Sequence, residues 1–201
     1  AEKIVAHMHS EGGYLTREDL ANFRSQIGPA IQGRWRDFTL FTCGPWCQGP
    51  TLIQSLLTME RAGLDGLKQN SADYLHLLIE VIKCTFADRE YYYGDPDFVD
   101  VPLKRLHSEI NIGDWLKRID PRRAMADMPS PNGVNEPFHY PVTDGLPGRD
   151  PDTSYLCAVD KWGNAFSATP SDGMWNTPIV PGTGLILSAR GCQSRTDPSH
   201  P

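Results

Sequence analysis

Apolar residues recur along this chain at two different periods, and the places where the period changes outline its elements. Ile4, Val5 and Met8 repeat at helical spacing up to Gly12-Gly13, where paired glycines past a periodic run predict a helix end. Thr16-Arg17-Glu18-Asp19 then has the spacing of a capping box, and a second short helix with Leu20 and Phe23 on its buried face is expected. Between Gly28-Pro29 and Gly44-Pro45, the alternating, aromatic-rich run Trp35 to Phe41 predicts a strand, followed by a tight loop, Gly44-Pro45-Trp46-Cys47-Gln48-Gly49-Pro50. Leu52, Ile53, Leu56 and Leu57 predict a helix closed by Gly63. Tyr74, Leu78, Val81, Ile82 and Phe86 predict another, running from a Ser71 cap towards Gly94, and both are expected to face a core. A shorter helix is expected around Trp115, Leu116 and Ile119.

The pattern then breaks. Pro129, Pro131, Pro137, Pro141, Pro147 and Pro151 interrupt a polar segment without periodicity, which predicts a long exposed loop. Two apolar runs, Ser154 to Val159 and Ala165 to Thr169, flank Asp160-Lys161-Trp162-Gly163-Asn164 and predict a β-hairpin with a glycine turn. A helical half thus precedes a strand-rich one.

Bulk properties narrow the function. The 201 residues are 39% hydrophobic and 22% charged, as in a globular chain able to build a sizeable core. A net charge of -6 with dispersed Lys and Arg gives no electrostatic footprint for nucleic acid or an anionic membrane, so small-molecule partners are favoured. No run approaches the length of a membrane span, and Ala1-Glu2-Lys3 leads into a helical pattern without a signal-peptide core, so the compartment stays open between cytoplasm and periplasm. The five cysteines, Cys43, Cys47, Cys84, Cys157 and Cys192, are odd in number and widely spaced, so free thiols are expected, with Cys43 and Cys47 buried. His7 and His9 lie two apart and point to different sides of a helix. The Asp95, Asp97 and Asp100 cluster lacks the glycine and glutamate of a calcium loop. Neither a metal nor another cofactor is expected. Tyr91-Tyr92-Tyr93 reads as packing at a helix end.

A proline-rich loop leading into a hairpin suits chemistry if the loop is meant to be cut. Cleavage between Asp152 and Thr153 would leave a hydroxyl and a free α-amine on one residue, and such an amine titrates near about 7.7–8.0, so it can act as base towards its own hydroxyl. Thr153 would then open a buried strand as nucleophile and base together. A threonine opening a strand also fits a purely structural role, and spacing alone does not separate the two.

Several collinear segments change that balance. Gly12 to Leu20, Phe86-Ala87-Asp88-Arg89, Tyr93 to Val99 and Val101-Pro102 resemble the back end of the large subunit of γ-glutamyltransferases. Asp152-Thr153-Ser154-Tyr155, Val159 to Ala165 and Pro181 to Leu187 resemble the start of that family's small subunit. The resemblance implies an α+β fold, part of the four-layer αββα sandwich of N-terminal-nucleophile hydrolases. It implies that 1–152 is the C-terminal part of a large-subunit-like region and 153–201 the start of a small-subunit-like one. Self-cleavage at Asp152-Thr153 would free Thr153, giving a heterodimer of large and small subunits that acts on a small-molecule amide. Ser171 stands where the family places the hydroxyl that hydrogen-bonds the nucleophile.

Departures from the family's pattern bear on substrate. Thr153-Ser154-Tyr155 replaces Thr-Thr-His, and Gly173 replaces an asparagine. Ser188-Ala189-Arg190-Gly191-Cys192-Gln193-Ser194 replaces Asn-Asn-Glu-Met-Asp-Asp-Phe, so Arg190 and Gln193 stand where acids hold the α-amino group of a glutamyl donor. A guanidinium removes the partner of an ammonium and offers a fork to a carboxylate. Three functions follow as alternatives: a γ-glutamyl transferase or hydrolase, an amidohydrolase or acylase using the same Thr153 on a different acid, and a catalytically silent scaffold.

Overall fold

The computed structural model describes residues 1–134, 153–172 and 177–188. In chain order the elements are α1 (Glu2–Ser10), α2 (Arg17–Asn22), β1 (Ile31–Trp35), β2 (Phe38–Thr42), α3 (Gly49–Arg61), a 3-10 turn (Leu64–Gly66), α4 (Ala72–Tyr92), α5 (Leu103–Leu106), α6 (Glu109–Arg118), β3 (Leu156–Val159) and β4 (Ala165–Ala168). Helices and strands are mixed, with the described strands paired as two antiparallel hairpins.

One compact unit takes residues 1–26 together with the described part of 143–196. Its α2 begins at the expected capping box: Asp19 N–H donates to Thr16 Oγ1 at 3.1 Å, and Thr16 N–H donates back to Asp19 Oδ2 at 2.7 Å. The side-chain bond from Thr16, and then the backbone bond, hold the Asp19 carboxyl below the usual carboxylate range. Leu20 and Phe23 do not bury as expected; both are exposed, Phe23 at 73%, because a six-residue helix with no buried residue offers them no packed face. In the same unit the Val180 N–H donates to the Leu185 carbonyl across a turn, Ile179 and Ile186 pair as an isolated bridge, and Lys3 Nζ donates to the Gly182 carbonyl at 3.0 Å.

The second unit begins at Ile27. Trp35 to Phe41 is not one strand: it covers the end of β1, the turn at Arg36-Asp37 and most of β2, a hairpin with Trp35 paired to Phe38 and Ile31 to Thr42. Arg36 takes a positive φ of 52°, a conformation a non-glycine residue adopts rarely, so the sequence carries no glycine to mark the turn. The guanidinium of Arg36 lies over the Trp35 ring and pairs with Asp65, which holds the turn. Gly33 lets this hairpin approach α3 closely: a Cβ there would lie 2.5 Å from Ile53 Cγ2.

Helices α3 and α4 form as the spacing predicts, with Ser71 Oγ capping α4 by accepting from Tyr74 N–H, but the faces they bury are rotated from the apolar stripe. Leu52, Ile82 and Phe86 are exposed, whereas Thr51, Gln54, Ser55, Thr58, Glu80, Thr85 and Asp88 are buried beside Ile53, Val81, Cys84 and Ala87. The reason is a polar network. Asp88, fully buried, accepts from Gln54 Nε2 at 2.7 Å, Trp115 Nε1 at 2.7 Å, Asn111 Nδ2 at 3.0 Å and the backbone N–H of Asn132 at 3.2 Å. Four donors from three stretches of chain, α3, α6 and the segment at Asn132, thus converge on one carboxylate, which offsets its burial. Glu80 is satisfied likewise, by Lys83 Nζ at 2.8 Å and the Met125 N–H at 2.9 Å. Cys84, Ala87 and Trp115 form an apolar cluster against this network, and burial pushes the Cys84 thiol up to about 12. At the end of α4, Tyr93 is buried and Tyr92 donates its hydroxyl to the Asn132 carbonyl, so these two tyrosines pack as expected, whereas Tyr91 is exposed.

The described cysteines Cys43, Cys47, Cys84 and Cys157 are free thiols. Cys43 is exposed and Cys47 half-buried, not buried as expected, because both belong to the surface loop between β2 and α3. Cys192 and the proline-rich loop beyond residue 134 lie outside the described residues. Among the described residues no helix is long and apolar enough to cross a membrane, and no three His, Cys, Asp or Glu side chains converge on a common point.

Candidate active site

The hairpin that carries Thr153 is built around Asp160. Its carboxylate accepts from Trp162 N–H at 2.9 Å, Asn164 N–H at 3.0 Å and Asn164 Nδ2 at 2.8 Å, while Gly163 supplies the positive φ of 84° that the turn requires. The bonds from Asn164, side chain first, hold the Asp160 carboxyl below its usual range. This turn fixes an antiparallel register in which Val159 faces Ala165 and Leu156 faces Ala168.

Continued three steps beyond the last ladder pair, the same register sets Thr153 opposite Ser171. The Ser154 N–H donates to the Pro170 carbonyl at 3.1 Å, so the pairing does continue. Thr153 Oγ1 and Ser171 Oγ lie 2.8 Å apart, and either hydroxyl can donate. The strands are exposed along their whole length apart from half-buried Ala168, so Thr153 does not open a buried strand as expected. Both faces of an isolated two-stranded ribbon remain open unless another layer covers them.

The structure therefore brings together two of the residues singled out in the sequence, Thr153 and Ser171. Asp152, Arg190 and Gln193 lie outside the described residues. Next to Ser171, Asp172 Oδ1 accepts from the Ser188 hydroxyl at 2.6 Å, tying residues beyond the hairpin to its open end. Ser167 Oγ donates to the Tyr155 hydroxyl at 3.1 Å across the strands. Sequence reading did not find the Asp172–Ser188 pair, because sixteen positions separate the two and no periodic pattern links them.

A hydroxyl held by a neighbouring hydroxyl at the end of a fixed ribbon can be a positioned nucleophile once a base is present.

Comparison with known proteins agrees with the resemblance read from the sequence. The chain is 34% identical over 195 residues to the glutathione hydrolase proenzyme of Pseudomonas aeruginosa, an alignment covering 94% of this chain and 32% of that protein. It is 32% identical over 189 residues to the acylase ACY 1 proenzyme of Pseudomonas sp. strain SE83, covering 92% of this chain and 31% of that protein. The chain thus spans about a third of the length of these curated relatives. Among solved structures it is similar to the Helicobacter pylori gamma-glutamyltranspeptidase, with a TM-score of 0.58 and 31% identity over 63% of this chain and 36% of that one. The family model for gamma-glutamyltranspeptidase matches residues 1–200, and the chain belongs to that family.

Proposed function

We propose that this chain is the central part of a self-processing amide hydrolase or acyltransferase in which Thr153 is the nucleophile, acting on γ-glutamyl amides of the glutathione type. The observation that carries the reading is the 2.8 Å contact between Thr153 Oγ1 and Ser171 Oγ, set by the hairpin register. In the first step the Thr153 hydroxyl attacks the carbonyl carbon of Asp152. The peptide C–N bond breaks, its nitrogen becomes the Thr153 α-amine, and water hydrolyses the resulting ester. In turnover that α-amine takes the hydroxyl proton, and Thr153 forms an ester with the substrate acyl group while the substrate's own amine leaves with the proton. Water then releases the acyl group as the acid, or an acceptor amine takes it as a new amide, and the Thr153 hydroxyl is restored. Ser171 holds the hydroxyl in the attacking rotamer. The mature enzyme would be a heterodimer of the two cleaved pieces within the four-layer αββα sandwich.

A second reading keeps the chemistry and changes the acid. Arg190 and Gln193 replace the family's ammonium-binding acids, which favours an acyl group that lacks the α-amine, and one of the relatives is named an acylase. A matched pair of substrates separates the readings, because γ-glutamyl and glutaryl anilides differ only in that amine. With the self-cleaved full-length gene product, higher kcat/KM on the γ-glutamyl anilide supports the first reading and higher kcat/KM on the glutaryl anilide supports the second. Turnover of either that survives Thr153→Ala contradicts both.

A further inference from the structure

The loop joining β2 to α3 carries two thiols that the Thr153 chemistry does not use. Cys43 follows the last residue of β2 directly, and Cys47 stands two residues before α3. Between them the chain closes a tight turn: the Cys47 N–H donates to the Gly44 carbonyl at 3.2 Å, and Cys47 Sγ lies 3.3 Å from the same oxygen. Two glycines clamp the loop. The Trp46 ring covers Gly44, where a Cβ would lie 2.2 Å from the indole, and Gly49 sits against the end of β2, where a Cβ would lie 2.4 Å from Thr42 Cβ and 3.2 Å from the Cys43 carbonyl. Cys43 and Cys47 therefore flank one closed turn, four positions apart, with Gly49 packed against the Cys43 carbonyl on one side and the Cys47 N–H bonded to Gly44 on the other. The thiols sense each other: burial pushes the Cys47 thiol up, a backbone bond at Gly49 pulls it down, and the charge and hydrogen bond of Cys43 add to the rise. Cys43 is exposed and Cys47 half-buried, so an incoming reagent meets Cys43 first.

We propose that Cys43 and Cys47 form a thiol–disulfide exchange site that takes the disulfide of a small thiol as its substrate. The Cys43 thiolate attacks one sulfur of the disulfide, the S–S bond breaks, and one small thiol leaves with a proton. The deprotonated Cys47 then attacks Cys43 Sγ, the mixed disulfide breaks, and the second small thiol leaves. Two protein thiols are oxidised to one disulfide, one small disulfide is reduced to two thiols, and no other reactant is needed. The second step needs the Cys47 thiolate, so ring closure accelerates as pH rises.

The test uses the full-length gene product and 2-hydroxyethyl disulfide, which contains no amide and is therefore not a substrate for the Thr153 chemistry. After quenching and tryptic digestion, the segment 37–61 carries both cysteines and no others. In the wild type this segment is expected to lose two hydrogens and retain no adduct, faster at higher pH. Cys47→Ser is expected to trap one mercaptoethanol adduct on Cys43, and Cys43→Ser to react at least about ten-fold more slowly. A wild-type segment that stays reduced, or that accumulates the Cys43 adduct in the same yield as Cys47→Ser, overturns the proposal. Either outcome is read on the wild type alone, so misfolding of a variant does not obscure it.

Discussion

Thr153 Oγ1 and Ser171 Oγ lie 2.8 Å apart because the register of the β3–β4 hairpin, carried past its last ladder pair, sets the two residues face to face. If Ser171 positions the nucleophile, Ser171→Ala slows self-cleavage and turnover by about ten- to hundred-fold, the cost of one hydrogen bond to a reacting group. Ser171→Thr keeps the hydroxyl and most of the activity. Equal rates for Ser171→Ala and wild type, measured on protein with unchanged unfolding midpoints, would remove Ser171 from the site.

Asp88 gathers donors from Gln54, Asn111, Trp115 and Asn132 in a dry setting. Asp88→Ala leaves Gln54 Nε2, Trp115 Nε1 and the Asn132 N–H without this acceptor, while Asn111 Nδ2 keeps the Leu106 carbonyl at 3.0 Å, and the change is expected to destabilise by at least about 3 kcal/mol. A large fall in the urea midpoint of the full-length protein checks this, and Asn132→Ala, which keeps its backbone donor, falls less.

His107 gives a pH dependence with a defined sign. Burial lowers its pKa from the ordinary value of 6.5, and the opposing bond to the Pro50 carbonyl, 3.0 Å away, is the smaller influence. The unfolded chain therefore takes up the proton first as pH falls. The contribution of neutral His107 is fully present above pH 6.5 and is lost as pH drops towards the depressed folded value. Comparing urea midpoints at about pH 7.5 and 5.5, His107→Gln is expected to show a smaller fall than wild type.

Gly33 is where the β1–β2 hairpin meets α3. A Cβ there would lie 2.5 Å from Ile53 Cγ2, so Gly33→Ala overpacks the contact and costs about 1–3 kcal/mol. The double variant Gly33→Ala with Ile53→Ala is expected to lose less than the sum of the two single variants, because removing Ile53 Cγ2 frees the space the new Cβ needs, and unfolding midpoints of the wild type, both single variants and the double variant check this coupling.

What the sequence made legible was mostly local. The Thr16–Asp19 box, the Ser71 cap and the Asp160–Asn164 turn each depend on residues within four positions, and all three form. The buried face of α4 was not legible, because the apolar stripe through Ile82 and Phe86 points one way while Asp88 draws the helix towards donors at positions 54, 111, 115 and 132. Burial of a polar face depends on partners far along the chain, which periodicity does not report. The turn at Arg36 escaped for the opposite reason: it is local, but it uses a left-handed residue that is not glycine. At the candidate site, resemblance to the family singled out Thr153 and Ser171, and the hairpin turn alone would have set them opposite once its register was counted.

The central claim is that Thr153 becomes an N-terminal residue by cutting its own chain. Intact mass with N-terminal sequencing of the full-length gene product, before and after incubation at neutral pH and beside Thr153→Ala, tests it most directly. The account predicts two tightly associated pieces from the wild type, the smaller beginning at Thr153, and a single uncut chain from the variant. A wild type that remains one chain under the same conditions would contradict it, since Thr153 would never acquire the amine that serves as its base.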